Sequence, residues 1–168
     1  MTPIPPELVR RILEGYVLHP HGIHGLAHWA RVLETGLRLA PGSGADPLVV
    51  ATFAVFHDSR RENDHHDPQH GLRGARLAEA MRADLGLDAA RLELLRFACT
   101  HHADGTVHAD PTIGTCWDAD RLDLWRVGIT PDVRFLSPAA ARDHDAQAWS
   151  RARSLAEFVP AMVADWSR

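Results

Sequence analysis

The chain has no lysine: all 18 of its basic residues are arginine. This excludes a lysine Schiff base or a lysine nucleophile. Cysteine is almost as scarce. Cys99 and Cys116 lie too far apart for a CxxC site and are too few for a disulfide framework, so they read as two reduced thiols of a cytoplasmic protein. The longest apolar run, Leu48 to Phe56, is far too short to span a bilayer. The N-terminal stretch MTPIPPELVRRILEGY lacks an apolar secretory core and is broken by Pro3, Pro5 and Pro6, so no signal peptide is read there. There is no glycine-rich phosphate loop and no GxSxG elbow, which leaves nucleophilic-serine chemistry without support. Net charge is −4, with no basic excess, and this argues against a polymeric nucleic-acid partner.

Strand-like alternation is also missing, and almost every segment follows a helical period. With 168 residues and 45% hydrophobic content, the chain reads as a single domain spanning 1–168. A first helix is expected from about Pro6 to Leu18, and a second from about Ile23 to the stop Pro41-Gly42-Ser43-Gly44. Asp46-Pro47 opens a third, apolar all round and so expected at the centre. Asp67-Pro68 repeats that start signal for a helix reaching Leu85 and stopped by Gly86. Asp88 caps a fifth helix through about His102, a loop covers Ala103 to Gly114, and a helix covers Cys116 to Val127. A last helix is expected over about Asp145 to Trp166, bent or ended at Pro160. The expected architecture is all-α, a compact bundle of about six to eight helices.

What the chain has in excess is histidine, 12 of 168 residues. Histidine is the commonest metal ligand and the usual acid–base group near neutral pH. Several of these residues fall at helix ends or on faces that can converge. His57-Asp58 closes the apolar central helix, where an unpaired imidazole and carboxylate would be costly. His28 follows His24 by one helical turn. His70 begins the helix after Asp67-Pro68, His101-His102 ends another, and Asp120 lies in WDADRLD. Singly, each is an ordinary helical polar residue. Together they offer an imidazole–carboxylate ligand set suited to Fe, Mn, Co, Ni or Zn, with Mg allowed, rather than to Ca.

The order His…His-Asp…Asp resembles that of the HD-domain superfamily of metal-dependent phosphohydrolases, which are all-α. The resemblance covers about His24 to Asp123. His28 in HWARV is its first histidine and His57-Asp58 the name-giving pair. Asp120 is the closing aspartate, matched in preference to Asp118 because an Ala-Asp followed by a basic residue and Leu is the family pattern. Members with two metals carry further histidines between the pair and the last aspartate. His70 in HGLRGARLA fits the first of these, with His65 and His66 crowding the same loop as alternatives. His101 in THHADG fits the second, with His102 the other candidate.

The resemblance implies that Asp58 bridges two divalent ions, that His28, His57 and Asp120 hold the first, and that His70 and His101, with His102 nearby, hold the second. It implies hydrolysis of a small phosphorylated metabolite or nucleotide by metal-activated water. His24 is then the candidate proton donor to the leaving group. Arg61, at the position of a lysine in HDxxK relatives, is the candidate phosphate ligand, ahead of Arg60. The alternatives are an HD-fold di-iron oxygenase and a metal-stabilised binding or regulatory module. Trp117, Trp125 and Trp149 read as packing residues, and His19, His21, His108 and His144 as surface residues. Oligomeric state is not legible.

Overall fold

The most apolar segment of the chain becomes its centre. In a computed structural model, which describes residues 4–168, the chain order is α1 (Pro6–Leu13), α2 (Leu26–Ser43), α3 (Pro47–Phe56), α4 (His70–Ala80), α5 (Ala89–His101), α6 (Pro111–Arg121), α7 (Ala139–Arg142), α8 (His144–Leu155) and α9 (Val163–Trp166). Short 3-10 turns lie at Arg82–Asp84, Leu124–Val127 and Val133–Phe135. Among the described residues there is no strand. All residues of α3 from Val49 to Phe56 are buried, with α2, α5 and α6 packed around it. The Asp46 carboxylate starts this helix by accepting from the backbone N–H of Leu48 at 2.9 Å and of Val49 at 3.2 Å. Phe53 and Phe56 are fully buried. Deleting either ring to alanine would cost about 3–5 kcal/mol.

Two glycines bring the last layer in. A Cβ on Gly74 would strike the Phe56 carbonyl and one on Gly71 the Cys99 carbonyl, so α4 lies directly on the C-terminal ends of α3 and α5. That contact is what carries His70 to the end of α3. The C-terminal segments return over the far side: α7 and α8 pack on α2, and α9 on α1 and α2. Cys99 and Cys116 are both buried free thiols.

Several boundaries differ from the sequence reading, each for a local reason. α1 stops at Leu13, and Gly15 beyond it packs against the Arg60 guanidinium. α2 begins at Leu26 rather than Ile23, and it ends within the expected stop: Gly44, at φ 76°, closes it with its N–H on the Ala40 carbonyl. Asp67 does not cap α4: its carboxylate takes the Arg73 guanidinium and the Glu62 N–H instead. The expected loop to Gly114 is shorter, since Asp110-Pro111 opens α6 just as Asp46-Pro47 opens α3. The single C-terminal helix expected over 145–166 is two, α8 and α9, with Pro160 between them.

Candidate metal centre

Five helices contribute one end each to a single buried cluster. His28 stands in the first turn of α2 and His70 opens α4. His57 and His102 are the residues at which α3 and α5 end, and Asp120 is in the last turn of α6. Three helix C-termini thus point their partial negative charge at one place, which favours a cation. His28, His57, Asp58, His70 and His102 are each at most 5% exposed.

The outer nitrogens of the four imidazoles fix their protonation. His28 Nδ1 lies 2.8 Å from Asp123 Oδ2. His57 Nδ1 faces the carbonyls of Ala54 at 3.1 Å and Phe53 at 3.2 Å. His70 Nδ1 is 2.5 Å from the Asp67 carbonyl and His102 Nδ1 2.7 Å from that of Cys99. Each of these partners only accepts, so each Nδ1 carries the hydrogen and each neutral ring turns an Nε2 lone pair inward.

Those lone pairs meet in twos. His28 Nε2 and His57 Nε2 are 3.1 Å apart, with Asp120 Oδ1 at 3.3 Å and 3.7 Å from them. His70 Nε2 and His102 Nε2 are 2.8 Å apart. The Asp58 carboxylate stands between the pairs. Its Oδ2 is 3.7 Å from His28 Nε2 and 3.9 Å from His57 Nε2, while its Oδ1 is 3.1 Å from His70 Nε2 and 3.5 Å from His102 Nε2. Ligand atoms of His28, His57 and Asp120 lie within 4.8 Å of one another, as do those of His57, Asp58 and His102. Two imidazole lone pairs facing each other are repulsive unless a cation lies between them. The residues therefore fit a divalent ion at each pair, with one oxygen of Asp58 toward each.

The charge balance agrees. Burial works against the ionised form of Asp58, but the surrounding imidazoles of His57, His102, His24 and His70 outweigh it and hold the carboxyl well below its usual range. Asp120 is likewise held low against burial by His28 and His57. Burial lowers the pKa of His28. His57 goes up, because Asp58 and Asp120 overcome its burial. Asp118, two residues from Asp120, faces elsewhere: it accepts from the Ser137 N–H and from Arg121, and burial pushes it up to about 7.

The other sequence candidates separate cleanly. His24 lines the cleft above the cluster, its Nδ1 2.8 Å from Asp58 Oδ2. Arg61 donates from Nε to Asp58 Oδ1 at 3.1 Å and from Nη1 to the carbonyls of Asn63 and His65, which leaves it unable to grip a phosphate with both arms. Arg60 is spent on the carbonyls of Ile12 and Ser59, away from the cluster. His70 occupies the place for which His65 and His66 were alternatives; those two are exposed on the loop. His101 is exposed against the Phe97 ring, and it is His102 that turns inward.

Sequence reasoning missed three contributors. Asp123 is 2% exposed and orients His28 from behind. Arg31 holds Asp123 through Nε at 2.8 Å and Nη2 at 3.0 Å. Arg126 lines the cleft. A signal for the first existed: Asp123 follows Asp120 by three residues, one face of the helix expected over Cys116 to Val127, and Arg31 follows His28 by three within α2.

No protein-family model matches the chain, and no curated protein matches it. Among solved structures it is similar to a crystal structure of a predicted HD superfamily hydrolase from an uncultured Thermotogales bacterium. The two are 23% identical, the match covers 95% of this chain and 92% of that one, and the TM-score is 0.63. Among the described residues no helix is long and apolar enough to cross a membrane. The chain shares the all-α fold of that crystal structure, with His28, His57, Asp58 and Asp120 gathered at its centre.

Proposed function

We propose that this protein is a metal-dependent phosphohydrolase, a phosphomonoesterase or phosphodiesterase, acting on a small phosphorylated metabolite or nucleotide. The observation that carries the reading is the pair of facing Nε2 couples with one Asp58 oxygen toward each. His28, His57 and Asp120 would hold one ion, His70 and His102 the other, and Asp58 both. Bound there, divalent ions supply the positive charge that acidifies a water and draws charge from phosphoryl oxygens.

The chain's own groups do the rest. Asp123 and the backbone carbonyls of Ala54, Asp67 and Cys99 keep the four rings in the tautomer that presents Nε2 inward. Arg61 pins the Asp58 carboxylate through Oδ1. His24 gives its Nδ1 hydrogen to Asp58 Oδ2 and leaves Nε2 free; in its imidazolium form, ion-paired with Asp58, Nε2 carries the second proton, which it can hand to a departing alkoxide oxygen, ending as the neutral ring. The test is metal analysis of freshly purified protein, followed by phosphate release from a panel of phosphomonoesters and phosphodiesters in the metal found. Two equivalents of a transition metal and turnover on at least one class are expected. Stoichiometric iron that consumes oxygen and releases no phosphate would replace this reading with the oxygenase one.

A further inference from the structure

The cleft above the cluster encloses about 440 Å³, and much of its wall plays no part in holding metal. Ile23, Leu124, Val127 and Ile129 line it with aliphatic surface, and Ile23 and Ile129 are about half exposed. Among the described residues, no serine, threonine, asparagine, glutamine or tyrosine lines it. Asp64, His65 and Arg121 also line it, Arg121 being taken up by the carbonyls of Gly105, Thr106 and Phe135, and neutral side chains to match the hydroxyls of a sugar are missing from the described lining.

The aliphatic surface is built rather than incidental. Leu124–Val127 is a 3-10 turn, and the Ile129 N–H closes it on the Leu124 carbonyl at 3.2 Å. Arg126, from the same turn, reaches across with Nε to the Ile23 carbonyl and with Nη1 to the Asp123 carbonyl, both at 2.9 Å. This ties the Ile23 backbone to the turn that carries Leu124 and Val127 and places all four aliphatic residues on the wall of one cleft. The Arg126 side chain is only 6% exposed. Its remaining nitrogen, Nη2, lies 3.5 Å from His24 Nδ1. That atom already gives its hydrogen to Asp58 and has no lone pair to offer, so among the described residues Nη2 has no acceptor. A guanidinium nitrogen without an acceptor, on a side chain that lines the cleft beside the proton donor and the aliphatic wall, is suited to an anion whose uncharged part is apolar.

Resting on the phosphohydrolase reading, we infer that this site takes phosphoesters of an apolar, ring-sized organic group. Arg126 Nη2 receives a phosphoryl oxygen, and the ring lies on Ile23, Leu124, Val127 and Ile129. Arg126 then serves both as an anion ligand beside His24 and as the tie between the Leu124–Val127 turn and Ile23.

Phenylphosphonate and methylphosphonate carry the same charge and neither is hydrolysed at its P–C bond, so they separate recognition from turnover. Calorimetric titration of the metal-loaded protein should show phenylphosphonate binding about tenfold or more tightly than methylphosphonate, in proportion to the apolar area covered. In the double variant Val127→Asn, Ile129→Asn, both at solvent-exposed positions, that preference should fall to about one. Arg126→Gln should weaken both ligands by about tenfold or more, the loss of a charged hydrogen bond. Equal affinities for the two phosphonates, or a preference that survives the double variant, would overturn the substrate class while leaving the phosphohydrolase reading in place. If neither phosphonate bound, both would fall.

Discussion

The two halves of the metal centre are backed differently. At the His28–His57 couple, Asp120 faces the two inner nitrogens and Asp123, itself locked by Arg31, stands behind His28, while His57 is backed by the Ala54 and Phe53 carbonyls. Behind the His70–His102 couple stand only main-chain carbonyls, those of Asp67 and Cys99. A carboxylate on the outer nitrogen raises the basicity of an imidazole more than a neutral carbonyl does, and Asp120 adds a full negative ligand. On the proposed two-ion reading, the first half is expected to be the tighter site and the second the more easily emptied. Asp58 alone belongs to both.

The largest expected effect comes from removing what they share. Asp58→Ala should lose bound metal and turnover together, measured by elemental analysis and phosphate release; a variant that kept both would disprove the bridge. Next, His102→Ala should lower the metal content by one equivalent and leave the His28–His57 ion in place, whereas His101→Ala should change neither stoichiometry nor rate. An inverted result would put His101 at the second half. A smaller effect is expected from His24→Ala, which should keep its metal and fold but slow hydrolysis by about 10²–10⁴-fold. That loss should be deepest on alkyl esters and should shrink on nitrophenyl esters, whose leaving group needs little protonation. A uniform loss across leaving groups would remove His24 from proton transfer. Smallest, Asp123→Asn should weaken the first ion by about 10–100-fold, with little change at the second. Competition with a chelator reads the two affinities separately, and equal weakening of both would erase the asymmetry between the halves.

Legibility in the sequence followed the range of the interaction. Aspartate followed by proline marks a helix start through contacts two and three residues away, so α3 was legible from Asp46-Pro47, and α6 carried the same signal at Asp110-Pro111. At Asp67-Pro68 the identical dipeptide misled, because Arg73 and the Glu62 N–H compete for that carboxylate in the folded chain. The stop Pro41-Gly42-Ser43-Gly44 was legible, since the left-handed Gly44 ends α2 through a contact four residues back.

The sequence by itself determined the all-helical class, the burial of α3 and the residue types of the centre. Local propensity and patterning act along the chain, and an HD pair at the end of an apolar helix needs a partner wherever that helix goes. Only the tertiary structure decided between His101 and His102, since neighbouring helical residues point about 100° apart and nothing local says which side faces α4. It also made Asp123 a support for His28 across 95 residues of sequence, turned Arg61 onto Asp58 and brought Arg126 to the Ile23 carbonyl at the cleft. Those assignments depend on which donors and acceptors are already taken once five helix ends have been brought together, and that accounting exists only in the packed molecule.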